Sequence, residues 1–191
     1  MKTEKHPFQP FLPEGARILF LGSFPPQPHR WCMPFYYPNW INDFWRIMGI
    51  VFFGDRGHFC VPGEKRFDEA AIRMFCTDAG LAFYDTATEV RRLKDNASDA
   101  FLEVVTPTDI AALLRRIPEC RAIVTTGEKA STIISQTFGC AMPSIGSYVN
   151  LVIPSVAQEP ITFWRMPSTS RAYPLPLEKK AKEYRKLFKG V

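Results

Sequence analysis

The first firm signal along the chain is an unbroken apolar run, Ile18 to Leu21, closed by Gly22 and Ser23. Such a run predicts a strand over 17–22 that is buried on both faces. Ahead of it, residues 1–16 read as an extended lead-in ending in a turn at Pro13-Glu14-Gly15. Beyond it comes a long loop, then a helix through Phe44–Met48, with Asn39 or Asn42 as its cap and Gly49 near its end. Residues 50–63 are rich in turn formers. Over 64–79, Phe67, Ala70, Ala71, Met74 and Phe75 recur at helical spacing before Gly80. Residues 81–85 read as a short strand or its approach. The charged stretch 88–104 is expected to fold over the sheet or lie near a partner. Thr106 as N-cap and Pro107 at the first helical position predict a helix with Ile110, Leu113, Leu114 and Ile117 on its apolar face. A strand over 121–126, a helix over 128–138, strands over 148–153 and 161–166, and a final helix over 177–189 complete the pattern.

Strands alternating with helices imply a parallel sheet covered on both faces. The chain then divides into the lead-in, 1–16, and a single domain, 17–191. Three loops, 22–38, 126–128 and 166–176, leave strands at the same sheet edge. The first is unusual. It holds Pro25, Pro26, Pro28 and Pro34, the pair His29-Arg30, and a run of aromatics and amides from Trp31 to Trp45. Connections in α/β units are commonly about two to six residues, and longer ones tend to be functional. Open α/β sheets bind ligands outside the carboxyl ends of their strands.

Composition narrows the classes. At 191 residues, 46% apolar and 23% charged, the chain can bury a full core and is globular, not disordered. Its net charge of +5 and pI near 9.0 favour an anionic partner such as nucleic acid. Five cysteines at irregular spacing, with no C-x-x-C pair, support neither a zinc ribbon nor a disulfide framework, and read as reduced cytosolic thiols. No signal peptide is read at the N-terminus and no apolar run approaches ~20 residues, so a cytoplasmic protein without a membrane span is expected. No G-x-G-x-x-G or P-loop appears, which disfavours a nucleotide-binding flavodoxin-like protein.

Four stretches in order carry a family resemblance: G-S-F-P at Gly22–Pro25, Y-Y-x-N-x-x-N-D-F-W at Tyr36–Trp45, T-T-G-x-x-A at Thr125–Ala130, and P-S-T-S at Pro167–Ser170. Together they resemble the uracil-DNA glycosylase superfamily, nearest to its mismatch-specific uracil and hypoxanthine branches. The resemblance implies a three-layer α/β/α sandwich around a central four-stranded parallel sheet. It implies a DNA glycosylase that flips a deaminated base, uracil or hypoxanthine, and hydrolyses its N-glycosidic bond in base excision repair. It implies DNA containing a damaged base as partner. No cofactor or metal is expected, and a monomer is the default, cytoplasmic or nucleoid-associated if bacterial.

Carried over by motif, Gly22, Ser23, Phe24 and Pro25 would line the base pocket with Thr126 and Gly127. Tyr37 would stack on the base, with Tyr36 as the alternative. Ser168, Thr169 and Ser170 would contact phosphates, and Arg171 to Tyr173 would form the wedge that fills the gap in the duplex. Three positions depart from the family pattern. Phe24 stands where most members have an Asp or Asn that positions water, Met166 where many have His or Asn, and Thr126 where uracil-specific members often have Asn. The resembled hypoxanthine branch also lacks the usual acid and relies on an Asn in the Y-Y-x-N-x-x-N stretch, so the resemblance implies Asn42 and then Asn39 as the catalytic candidates. If both only cap a helix, the alternative is a catalytically weak or inactive protein of the same fold that binds DNA or a base. Other readings stay open beside these. Tyr36, Phe44 and Trp45 read first as core, His29 and Arg30 as a solvated loop, and Asp85 as a buried turn residue or a second polar group near the site.

Overall fold

Eight strands and five helices make up the described residues of the computed structural model, 3–94, 99–157 and 159–189. Residues 1–2 of the lead-in, 95–98 of the charged stretch (Asp95 among them), 158 and 190–191 lie outside that description. In chain order the elements are β1 (Thr3–Lys5), β2 (Ile18–Gly22), α1 (Phe44–Phe53), α2 (Glu69–Asp78), β3 (Leu81–Asp85), β4 (Ala87–Arg92), β5 (Leu102–Pro107), α3 (Ile110–Arg116), β6 (Ala122–Thr125), α4 (Glu128–Phe138), β7 (Ser147–Leu151), β8 (Ile161–Arg165) and α5 (Leu177–Leu187). Short 3-10 turns occupy Pro28–Arg30 and Asp99–Phe101.

The main sheet has the order β3-β2-β6-β8-β7. Its first four strands are parallel and β7 runs antiparallel to β8. The expected four-stranded parallel sheet is thus part of a five-stranded mixed one. The reason is the β7–β8 connection: residues 152–160 hold no helix among the described residues, and a parallel neighbour needs a crossover of a dozen or more residues. Right-handed crossovers put α1 and α2 on one face and α3 and α4 on the other. Phe44 of α1 packs edge-on to Phe20 and Phe83 on its face, and Tyr184 brings α5 alongside. The register pairs Gly22 with Asp85, Leu21 with Thr125, and Thr125 with Arg165. The carboxyl ends of all four parallel strands therefore sit level at one edge.

Local chemistry sets the helix ends, and in places it differs from the sequence reading. α3 begins at Asp109, whose side chain accepts from Ala112 N–H; Thr106 and Pro107 close β5 instead. α2 starts later than the periodicity suggests, at Asp68, which caps through Ala71 N–H. Cys60 and Phe67 form an antiparallel bridge that keeps the preceding residues in a turn. Gly49 lies inside α1, and Gly54, with φ of 69°, ends it. Neither Asn39 nor Asn42 is the N-cap of α1. Asp43 holds that position without a capping bond from its side chain, and Asn42 accepts Phe44 N–H instead.

The charged stretch and the lead-in form a second sheet, β1-β4-β5, antiparallel throughout. Its inner face is a small cluster of Ala87, Val90 and Leu102, with Phe24 and Val104 against it. Further along the lead-in, Phe11 exchanges backbone hydrogen bonds with Phe83 at 3.0 and 2.8 Å, covering the free edge of β3.

Candidate active site

The level strand ends enclose a cavity of about 530 Å³, within the roughly 300–1,000 Å³ usual for small-ligand sites. Its walls come from the loops after β2, β6 and β8, from the end of β3 and from the Asp99 turn. Of the residues singled out in the sequence, Gly22, Ser23, Phe24, Pro25, Tyr36, Tyr37, Asn39, Asn42, Thr126, Gly127, Ser168, Thr169, Ser170 and Arg171 line it. Tyr173 does not; it turns back through its N–H onto Ser170 O, and its ring lies 5.9 Å from Lys180 Nζ.

The strand end is tightly packed. A side chain at Gly22 would place its Cβ 2.5 Å from Asp85 Oδ1, so only glycine lets β2 approach the β3 carboxylate. Asp85 in turn pairs with His6, Nε2 to Oδ2 at 2.8 Å, and the His6 ring is only 2% exposed. Phe24 points its ring at this imidazole, edge to face at 5.2 Å, and lies 5.7 Å from the Arg92 guanidinium. Phe24 is thus packed against aromatic and cationic neighbours and offers the cavity no polar side-chain atom.

Tyr37 is the one non-glycine residue with positive φ, 51°, among the described residues. That conformation costs a non-glycine residue roughly 1–2 kcal/mol. Two contacts hold it: its ring stacks on Phe44 at 3.9 Å and 4°, and its hydroxyl hydrogen-bonds Thr126 Oγ1 at 2.7 Å. Burial pushes the phenol well above its ordinary pKa, against the weaker pull of the Thr126 bond, so it stays neutral. Tyr36 contributes to the wall, but its ring belongs to the core. It stacks on Phe83 at 5.7 Å, and its hydroxyl donates to Gln9 O at 2.9 Å.

Both candidate amides line the cavity with their oxygens already engaged. Asn39 Oδ1 accepts from Ile41 N–H at 3.1 Å and Asn42 Oδ1 from Phe44 N–H at 2.9 Å. Each is held as a donor through Nδ2. Buried Arg46 fixes the loop from behind, donating to Trp40 O at 2.7 Å and Asn42 O at 3.1 Å with its guanidinium over the Trp40 ring.

The 167–171 loop is braced by α5. Lys180, fully buried, donates to Asp43 Oδ2 at 2.8 Å and Ser170 O at 2.7 Å, while Tyr184 donates to Pro167 O at 2.9 Å. Asp43 N–H reaches Thr169 O at 2.9 Å, which ties this loop to the start of α1. Ser168 and Ser170 hydroxyls each accept a backbone N–H two residues on, at 3.2 Å. Arg171, 55% exposed, lies 3.6 Å from Asp43 Oδ1.

Several polar groups in or beside the cavity were missed or only partly read in the sequence. Asp99 accepts from Ser23 Oγ at 2.5 Å. Burial raises its pKa, while Ser23 and Lys129 pull the other way. Asp85, read as a buried turn residue or a second polar group, is not in a turn: it is the buried last residue of β3 and lines the cavity. Arg30, read as solvated, lines the cavity with Nε buried and unpartnered among the described residues. His6 was not singled out at all. Its pairing spans 79 positions, and no local pattern reports such a contact. Among the described residues no group of three or more His, Cys, Asp or Glu could hold a metal ion, and no helix is long and apolar enough to cross a membrane.

No family model and no curated protein matches the chain. Among solved structures it is similar to the solution NMR structure of a "putative Uracil DNA glycosylase" from Methanosarcina acetivorans, with a TM-score of 0.64 at 19% sequence identity, over 98% of this chain and 97% of that one. At that identity the likeness is one of fold. The likeness in fold runs the length of both chains, and in this chain the cavity at the strand ends is lined by stretches of all four motifs quoted above.

Proposed function

We propose that the chain is a DNA glycosylase that excises a deaminated base, uracil or hypoxanthine, by base flipping and hydrolysis of the N-glycosidic bond. The observation that carries this reading is the convergence of four separate sequence motifs on one cavity at the parallel strand ends. Extruding a base costs a few kcal/mol. Stacking on Tyr37, whose ring is fixed by Phe44 and Thr126, returns roughly 1–3 kcal/mol. As the bond breaks, negative charge grows on the base, and preorganised donors stabilise it. Asn42 Nδ2 is the leading donor because its oxygen is occupied by Phe44 N–H; Asn39 is the second, and backbone N–H groups at Ser23 and Phe24 are further candidates. Ser168, Thr169, Ser170 and Arg171 contact phosphates, and Arg171 to Tyr173 fill the gap left in the duplex. The basic balance of the chain supplies sequence-independent affinity. In this reading the protein acts as a monomer without cofactor, in the cytoplasm or on the nucleoid.

A second reading has one observation behind it. The Phe24 ring packs on His6 and supplies no water-binding group, which favours a protein that holds a flipped base without cutting. One experiment separates the two. Oligonucleotides carrying uracil or hypoxanthine, single-stranded or opposite each base, are incubated with the protein and treated with alkali. Strand breaks expected of the wild type should fall by about 10²-fold or more in Asn42→Ala and by much less in Asn39→Ala. DNA bound on every substrate with no breaks on any would leave the binding protein standing.

A further inference from the structure

Hydrolysis needs an acceptor for the proton of the attacking water, and the groups first in line do not provide one. Phe24 has no acceptor. Asn42 and Asn39 spend their amide oxygens on backbone N–H groups, and an amide is in any case a poor base. Two carboxylates line the cavity, Asp85 and Asp99. Asp85 is committed: one oxygen takes the His6 imidazole and the other is wedged against Gly22.

Asp99 is differently placed. Its Oδ1 is anchored by Ser23, the residue after the strand-end glycine. Its Oδ2 lies 4.0 Å from where a Cβ of Gly127 would stand, which places it beside the start of α4. Its backbone is held by Lys129, whose Nζ donates to Asp99 O at 3.0 Å. We infer that Asp99 is the general base of the site, with Oδ2 taking the proton of the water that attacks C1′ while Ser23 positions the carboxylate. This rests on the glycosylase reading.

The step balances. The water oxygen bonds to C1′ as the C1′–N bond breaks and its electron pair leaves with the base. The proton passes to Asp99 and then to solvent, and the departing base anion is protonated by solvent.

The groups facing Asp99 set its titration. Ser23 from the β2 loop, Lys129 from α4 and Arg92 from β4 favour the carboxylate, Asp85 from β3 opposes it, and burial opposes it most. Tyr37 also faces it and is neutral. A base works deprotonated, so excision should fall as pH drops through a value above the ordinary carboxylate range.

The test is single-turnover excision across about pH 4 to 9 on the best substrate, with DNA binding by fluorescence anisotropy in parallel. General-base contributions run to about 10²–10⁴-fold. Asp99→Asn should slow excision by about 10²-fold or more, bind DNA as the wild type does, and lose the acid limb. Ser23→Ala should keep the limb and move it to higher pH, because it removes a bond that stabilises the carboxylate. An Asp99→Asn rate within roughly threefold of wild type, or a Ser23→Ala profile with an unmoved limb, overturns the assignment and leaves the glycosylase standing. A wild type that cuts no substrate overturns the glycosylase reading and this one with it.

Discussion

The two sheets make an instructive pair. The main sheet is apolar on both faces, with Leu19, Phe20 and Leu21 fully buried, and it carries the motif loops at one edge. The small sheet has a core of Ala87, Val90 and Leu102 and is charged over most of its surface, yet it borders the turn that holds Asp99. His6, just past β1, joins the two through Asp85. A rigid platform thus presents the loops, and a lighter flap brings one ionisable group, Asp99, to the same cavity. Stability and chemistry are distributed unequally between them.

The largest effect should come from the platform. Phe20→Ala removes a ring that stacks on Phe83 at 5.3 Å and meets Phe44 edge-on, and truncation of a buried Phe costs about 3–5 kcal/mol. Urea denaturation should show it as a lowered midpoint with the slope unchanged. Next is the junction. His6→Ala leaves the buried Asp85 carboxylate without its imidazole, a loss of about 1–3 kcal/mol, and Asp85→Asn in the same background should recover part of it in a double-mutant cycle. A smaller effect is expected in the flap. Val90→Ala should cost about 1–2 kcal/mol, and native-state hydrogen exchange should show β4 and β5 amides opening at lower free energy than those of β2. Equal opening energies in the two sheets would erase the distinction between platform and flap.

The smallest effect has the opposite sign. Asp99 binds its proton more tightly folded than unfolded, because burial raises its pKa. It therefore opposes folding once pH rises above the ordinary carboxylate value, and the penalty is fully present above the raised one. Asp99→Asn should be more stable than wild type at neutral pH, and the gain should shrink as pH falls toward the ordinary carboxylate pKa. Thermal melts at a series of pH values measure it. A carboxylate that costs stability where it stands is the usual mark of a functional group.

Much of the platform could be read from local pattern. β2, β3, β6 and β8 are short apolar runs bounded by glycine, threonine or proline, and α4 spans the predicted 128–138. The first site loop was legible because its prolines, aromatics and amides are too dense for an ordinary connector. The flap was not. Its strands are half-exposed and charged, so an alternation such as that of Ala87–Arg92, buried at Ala87 and Val90 alone, carries little apolar signal. Thr106-Pro107 imitates a helix start, but Thr108 N–H bonds to Thr86 O and Asp109 takes over the capping.

What the sequence by itself determined is the order and type of the main elements and the identity of the loops that leave the strand ends, because apolar periodicity and turn residues act over a few positions. What only the tertiary structure decided is which polar groups share the cavity. Ser23 and Asp99 lie 76 positions apart, Tyr37 and Thr126 lie 89 apart, and Lys180 meets Asp43 across 137. Such pairs form only where sheet register and helix docking bring distant segments together, and burial then penalises any charge or hydroxyl left without a partner.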